Sequence, residues 1–236
     1  MVEAYILDWL NLVVRWVHII TAVAWVGASF YFNWLLNRLT APADGNSNVA
    51  GELWALHAGG FFLVQKRNLA PGVLPDPLHW FKWEAYWTWI SGFALLVLVY
   101  YVGADRYLID PNVSDISSGW AIVLGLAVLA FGWKAYDVAW RSTLANNPNL
   151  LTIVCCLVLV AITFGLTQVF SGRGAYMHVG ALLGTIMVAN VAEVIMPSQR
   201  QMVEASLRGE PQDQSLARAA GLRSLHNNYI TLPVIF

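Results

Sequence analysis

The chain has 236 residues, of which 58% are hydrophobic and 11% are charged, and its formal net charge is −1. Soluble domains are roughly 45–50% apolar and about 25% charged, so this composition excludes disorder and disfavours nucleic-acid binding, which needs a basic excess. The two cysteines are adjacent, at 155 and 156, which excludes a disulfide scaffold and leaves an integral membrane protein as the class.

The apolar runs predict an all-α fold, a polytopic transmembrane helix bundle of five full spans and the start of a sixth. A spanning helix needs ~20 mostly apolar residues. The predicted spans are about 12–36, 83–102, 119–140, 150–170 and 175–196, with an incomplete span at 229–236. One integral membrane domain therefore covers 1–236. We expect its sixth span to be cut short rather than interfacial, because the last residues are almost all apolar.

The distribution of Lys and Arg predicts the orientation of these spans. Nine of them lie in 37–82, in 197–227 and just after the third span, whereas the opposite side carries only Arg106 and Arg173. Since cytoplasmic loops are rich in Lys and Arg, 37–82 and 197–227 are predicted to be cytoplasmic excursions, and the N-terminus faces outward.

The two excursions carry their own local predictions. Residues 41–51 are typical of a loop, and 61–66 of a short strand. Pro71, Pro75 and Pro77 exclude a continuous helix before the second span. The second excursion is predicted to be helical, with a break at 209–211.

Two histidines predict a haem site in the outer part of the membrane. His18 lies about six residues into the first span and His178 about three residues into the fifth, and both spans start outside. Gly27, Gly180 and Gly184 leave room for a flat group beside them. Neutral imidazole binds haem iron, so His18 and His178 are predicted to ligate a haem b. The alternative is that both histidines are core residues bonded to backbone carbonyls, with glycines that serve helix packing.

A second group of polar residues lies at the inner ends of the spans and predicts a binding pocket. His79, Glu84 and His226 are candidates for proton transfer, because acids and imidazoles at membrane depth need a reason. Trp80, Trp83 and Trp87 share one helical face, which suits the stacking of a planar ligand. The alternative is an interfacial belt of aromatic and snorkelling side chains, which also accounts for Lys82.

Several stretches of the chain resemble the bacterial membrane-bound urate oxidase (urate hydroxylase) family. They are Trp16–Ile20, Trp25–Phe32, Gly59–Phe62, His79–Gly92, Met177–Gly180, Gly184–Met187 and Arg223–Pro233, so the likeness extends from the first span to the end of the sequence. The resemblance implies a multi-pass protein of the bacterial inner membrane with a periplasmic N-terminus. It implies oxidation of urate to 5-hydroxyisourate, with electrons passed to cytochrome c. The family pattern is eight spans and an outward-facing c-type cytochrome domain. The given sequence lacks that domain, which a longer chain or a partner would supply.

Together the resemblance and the residues predict a route for substrate and electrons. Urate is a planar monoanion, and it is expected in the inner pocket, with its charge offset by Lys82 or Arg223. Asn227 and Asn228 are expected to bond its carbonyl oxygens, and one of His79, Glu84 and His226 to act as the base. Electrons are expected to pass outward through the haem to cytochrome c.

Two other functions remain open at this stage. The first is a haem b quinone or cytochrome oxidoreductase subunit that does not act on urate. The second is a non-enzymatic subunit of a respiratory complex, or a transporter, although inverted repeats typical of transporters are not visible. The inner pocket decides between these functions: if Trp83, Glu84 and His226 do not converge in the fold, the urate interpretation is weakened.

Overall fold

A computed structural model describes residues 2–67, 74 and 76–236. Its helices are α1 (Val2–Leu36), α2 (Trp83–Leu95), α3 (Ala104–Tyr107), α4 (Ser118–Arg141), α5 (Pro148–Thr167), α6 (Gly172–Ala189), α7 (Met196–Leu207) and α8 (Gln214–Ile235). Strands β1 (Val49–His57) and β2 (Gly60–Arg67) form one antiparallel hairpin. The predicted helix bundle is confirmed, and the strand predicted at 61–66 is the core of β2.

Four of the described helical segments are long and apolar enough to cross a membrane. They are Tyr5–Leu36, Ser118–Arg141, Pro148–Thr167 and Gly172–Leu207. α2 adds a further segment, because its 13 α-helical residues continue directly into six π-helical residues, Leu96–Tyr101. The last predicted run, 229–236, is the end of α8, a helix that starts at Gln214.

The two ends of the bundle differ in charge. We call the end where α1 ends, α2 begins and α4 ends the basic end, because the loops there hold most of the Lys and Arg. We call the other end, which holds 102–117 and 168–171, the acidic end, since it carries Asp105, Asp110 and Asp115. A helix break at 208–213 lies on the basic side, close to the predicted 209–211. Pro71 and Pro75 lie outside the described residues.

Two π-helical segments interrupt otherwise regular helices. Leu96–Tyr101 extends α2, and Asn190–Ile195 joins α6 to α7 without a loop. A π-helical segment rotates the side chains after it relative to a straight α-helix, and such segments are frequent at functional sites. Here they place Tyr101 and Asn190 toward the interior of the bundle, where both make hydrogen bonds to side chains of other helices.

The buried core runs along the middle of the bundle. One apolar cluster joins Leu96, Val99 and Tyr100 to Leu129, Leu182 and Ile186, so it ties α2, α4 and α6 together. A second cluster closes the acidic end around Leu108, Leu166 and Phe170. A third packs Ala85 of α2 against Val191 and Met196. Polar side chains buried between these clusters are therefore surrounded by packed apolar residues.

Candidate functional site

A network of polar side chains is buried near the basic end, between α4, α8 and the π-helical segment Asn190–Ile195. The Tyr136 hydroxyl lies 2.6 Å from His226 Nδ1 and accepts a hydrogen bond from Asn190 Nδ2 at 3.2 Å. Asn190 Nδ2 also donates to Asn227 Oδ1 at 2.9 Å, and Asn227 Nδ2 donates to the Met187 carbonyl at 2.9 Å. Side chains from three elements are thus held in one hydrogen-bonded chain.

An ion cluster adjoins this network. Arg223 Nη2 donates to Asp137 Oδ1 at 3.0 Å, and both side chains are almost fully buried. Arg141 Nε bonds the same carboxylate at 2.9 Å from the exposed side. The Arg223 guanidinium also lies over the Tyr136 ring, 4.9 Å from its centroid. Asp137 therefore neutralises a cation that is held against the tyrosine of the network.

The network includes two buried nitrogen donors that lack an oxygen or nitrogen acceptor among the described residues, although the Trp140 indole also interacts with the Cys155 thiol. These donors are Arg223 Nη1 and Trp140 Nε1. The Trp140 and His226 ring centroids are only 4.1 Å apart, so the indole lies beside the imidazole. Buried polar groups are nearly always hydrogen-bonded, so such donors mark a place that suits an acceptor-rich ligand.

The hydrogen bonds of Tyr136 also set the state of His226. Asn190 donates to the tyrosine oxygen, so the tyrosine hydrogen is free to bond His226 Nδ1. A neutral imidazole that accepts at Nδ1 carries its hydrogen on Nε2. Within the described residues, His226 Nε2 makes no hydrogen bond, so in the tautomer that accepts from Tyr136 it is a further N–H donor beside the Trp140 ring.

An open cavity of about 500 Å³ borders the ion cluster. Its lining residues are Trp133, Lys134, Asp137, Val138, Arg141, Ser142 and Glu193. Asp137 belongs to both the cavity wall and the buried pair with Arg223. The cavity thus meets the buried cluster at Asp137, and the other residues of the network lie behind its wall.

Part of the predicted inner pocket is found in this network and part is not. Arg223, His226 and Asn227 are in it, on one face of α8. Asn227 uses its amide to join helices, so its role is structural. Asn228 Oδ1 is buried without a partner, but Asn228 lies roughly 200° around α8 from His226.

The predicted aromatic platform does not face this network. The side chains of Trp83 and Trp87 are 58% and 51% exposed on the outside of α2. Trp80 packs with the cluster around Ala85, and Lys82 lies over the Trp83 ring at 5.4 Å. The rings of the described residues that adjoin His226 are those of Tyr136 and Trp140. The arrangement matches an interfacial belt.

The other two predicted acid–base residues lie elsewhere. His79 is exposed and its ring contacts Phe81 at 4.6 Å. Glu84 is in the first turn of α2, and its Oε2 is buried without a hydrogen-bond partner. Trp83, Glu84 and His226 therefore do not converge on one site, since no hydrogen bond or ring contact joins them among the described residues.

At the acidic end His178 is fully buried and both of its nitrogens have partners. Nδ1 donates to the Gly174 carbonyl at 2.8 Å, and Nε2 accepts from the Tyr101 hydroxyl at 3.2 Å. The ring packs directly on Gly125, where an added Cβ would lie 2.5 Å from Nε2. His178 is therefore a buried core residue whose two ring nitrogens are both hydrogen-bonded within the protein.

His18 lies at a different level. Its Nδ1 donates to the Thr88 carbonyl at 2.9 Å, and its ring packs on Gly92 of α2. Gly92 and Tyr101 are nine residues apart, which is roughly 13 Å along a helix. Contrary to the prediction from the sequence, the structure therefore does not bring the two histidines to the same level of the bundle.

These positions do not fit two imidazoles that share one haem iron. Such a pair must face each other across the metal, and only His18 retains a ring nitrogen without a hydrogen bond among the described residues. Gly27, Gly180 and Gly184 have nothing within 4 Å of an added Cβ, so there is open space beside them as the sequence predicts, but it does not join the two histidine rings. Haem b stays a sequence-based prediction.

Sequence reasoning missed Tyr136, Trp140 and Asn190. Each lies in an apolar helical run. In such a run an aromatic side chain is normally interpreted as a packing residue, and a single amide side chain as the end of a helix. One signal was available, because Tyr136, Asp137 and Trp140 precede Arg141 within two turns of α4. Their convergence with α8 depends on the π-helical turn at Asn190. No pattern in the sequence predicts that turn.

The fold and the site define a helical protein with several apolar, membrane-length helices and a buried polar site near its basic end. The chain belongs to the family described as urate oxidase N-terminal, whose model matches residues 4–236. No curated protein and no solved structure matches the chain. The family assignment confirms the resemblance seen in the sequence, and it makes a urate oxidase-related function the coarse description of the chain.

Proposed function

We propose that this chain binds urate near its basic end and oxidises it to 5-hydroxyisourate. The observation that carries the proposal is the buried cluster of Arg223, Trp140 and His226, whose ion-pair partner Asp137 lines an open cavity. Urate is an anion with three carbonyl oxygens and few apolar atoms, so it needs a cation and several donors. The family assignment supplies urate as the class of substrate.

The reaction has a defined balance. Urate and one water give 5-hydroxyisourate, two protons and two electrons, as the carbon that bridges the two rings gains a hydroxyl group. Removal of electrons makes that carbon electrophilic, and water then adds to it while a base takes a proton. The electrons need an acceptor, for which we propose cytochrome c on the basis of the family resemblance.

The chain's own residues have distinct roles in this proposal. Arg223 binds the anion, and Asp137 holds the guanidinium in place from the opposite side. Trp140 and His226 donate to oxygen atoms of the substrate. Tyr136 and His226 form the titratable pair, so we assign proton transfer during water addition to this pair. By the positive-inside rule, the basic end faces the cytoplasm of a bacterium, and the membrane is its inner membrane.

The proposal is tested by urate binding to the purified full chain in nanodiscs, measured by isothermal titration calorimetry without any electron acceptor. Wild type is expected to bind urate. Trp140→Phe, which removes only the Nε1 donor from the site, is expected to weaken binding about 3–10-fold, the size of one hydrogen bond. Trp120→Phe, on the exposed surface of α4, is the matched control and should bind as wild type does.

Turnover is then followed by the loss of urate absorbance under nitrogen, with ferricyanide or cytochrome c as the one-electron acceptor. The proposal expects two equivalents of acceptor reduced per urate consumed. Wild-type protein that is folded but binds no urate, or equal binding losses in Trp140→Phe and Trp120→Phe, would contradict it.

A further inference from the structure

The β-hairpin carries a continuous apolar face near its tip. Trp54 pairs with Leu63 across the strands, and Leu56 pairs with Phe61, so all four side chains point to the same side. They are 64%, 43%, 66% and 79% exposed, respectively. We call these four residues the tip face.

Such a face needs a partner. A two-stranded hairpin is marginally stable in water by itself. A contiguous patch of large exposed apolar side chains marks a surface that meets a membrane or another molecule. The hairpin is held to the rest of the described chain at its base, where Thr40 and Glu52 exchange backbone hydrogen bonds of 2.9 and 2.8 Å. The tip face is therefore free to meet a partner.

The charges of the hairpin indicate the partner's chemistry. Glu52, the acid of the two strands, is buried and accepts hydrogen bonds from Ala43 N and Gln65 Nε2 at 3.0 and 3.1 Å. The exposed charged side chains of the strands are Lys66 and Arg67, both cationic. A surface that combines an apolar tip, a tryptophan and basic residues matches an anionic lipid leaflet.

The position of the hairpin places a bilayer within reach. α1 is apolar up to Leu36, and the base of the hairpin begins to form at Thr40, four residues later. From Glu52 to His57 the strand is roughly 17 Å long at ~3.4 Å per residue. A hairpin of that length, attached next to the end of a membrane-length helix, can lay its tip on the membrane surface.

We propose that the tip face inserts into the lipid leaflet at the basic end, with Arg67, on the same side of β2 as Phe61 and Leu63, near the anionic headgroups. The hairpin then acts as an interfacial anchor that holds the first excursion against the membrane. This role involves none of the residues assigned to urate, so it stands or fails independently of the proposed function.

Spin labels on single cysteines test the proposal in the full chain. Leu56→Cys and Phe61→Cys place the label on the tip face, and His57→Cys places it on the opposite face at the same height. The background carries Cys155→Ala and Cys156→Ala, because these two thiols would also react. Each protein is reconstituted in vesicles of phosphatidylcholine with phosphatidylglycerol, and collisions with oxygen and with a water-soluble nickel chelate are measured.

We expect labels at 56 and 61 to collide often with oxygen and rarely with nickel, and the label at 57 to show the reverse ratio. Lys66→Glu with Arg67→Glu should move the tip labels toward water, as should vesicles of phosphatidylcholine alone. Tip labels fully accessible to nickel would overturn the proposal. Labels shielded from both reagents would also overturn it, because they would show that a protein covers the face.

Discussion

The two ends of the bundle each contain a histidine bonded to a tyrosine, but the settings of the two pairs differ. At the acidic end His178 has a partner at each nitrogen and no exposed surface. At the basic end His226 is bonded at one nitrogen, the Trp140 ring lies beside it, and Asp137 of the adjoining ion cluster lines an open cavity. A histidine–tyrosine pair is thus part of the packed core at the acidic end and a candidate reactive group at the basic end.

The comparison teaches that depth and residue type alone do not identify a site in a membrane protein. A polar group in a bundle can be present because the fold satisfies it, and then it has no capacity left for a ligand. A polar group can bind a ligand only where hydrogen-bond donors or acceptors are not already used within the protein. The predictions below test whether the two ends differ in this way.

The largest expected difference is in turnover. His226→Gln keeps an amide donor but cannot carry a proton, so kcat/KM for urate should fall by about 10²–10⁴-fold while the protein stays folded. His178→Gln should instead lower the melting temperature, with little change in kcat for the molecules that remain folded. Turnover rates and melting curves of both variants check this. A larger loss of kcat in His178→Gln than in His226→Gln would reverse the assignment of the two ends.

The buried ion pair should dominate stability at the basic end. Asp137→Ala leaves the Arg223 guanidinium buried against only neutral partners, which costs about 3–5 kcal/mol of unfolding free energy. The matched control is Glu210→Ala, which breaks the exposed pair with Arg208 and should change stability little. Unfolding in graded denaturing detergent compares the two. Equal shifts would mean that Asp137 and Arg223 are not paired in a buried setting.

Two glycine substitutions test how tightly the structure packs around His178. Gly125→Ala would put a methyl group 2.5 Å from the His178 ring, so we expect a loss of about 1–3 kcal/mol from overpacking. Gly180→Ala meets nothing within 4 Å and should stabilise the helix by about 0.5–1 kcal/mol. Melting temperatures distinguish these signs. A destabilising Gly180→Ala would show that a group is packed on that glycine.

The two tyrosine hydroxyls give a further contrast between the ends. Tyr101→Phe leaves His178 Nε2 buried without a donor and should cost about 1–3 kcal/mol of stability at unchanged kcat. Tyr136→Phe should cost less stability but lower kcat, because His226 loses the partner that sets its tautomer. Urate turnover at several pH values checks both. An altered pH profile in Tyr101→Phe, but not in Tyr136→Phe, would contradict the account.

Much of the fold was predictable from composition and apolar runs. The helix bundle, the break near Gly209 and the strand within β2 follow from local patterns, which dominate helix and turn formation. The beginning of α1 was not, because Glu3 and Asp8 argue against an apolar run although a helix forms there. The pairing of His18 with His178 could not be judged from span positions, because it depends on packing: His18 packs on Gly92, whereas His178 bonds Tyr101, roughly 13 Å further along the helix.

The candidate site was predictable only in part. Arg223 and His226 stood out as polar residues at the start of an apolar helix. Trp83 and Trp87 also stood out, but composition cannot show which side of a helix faces lipid. The partners Tyr136, Trp140 and Asn190 come from helices distant in sequence, and their meeting depends on tertiary packing and on a π-helical turn.

The most direct test of the central claim is a cryo-EM structure of the full chain in nanodiscs with saturating urate. The account predicts a planar density at the basic end, within hydrogen-bond distance of Arg223 Nη1, Trp140 Nε1 and His226 Nε2. Planar density beside His178 at the acidic end, or an unchanged basic end with no urate density, would contradict it.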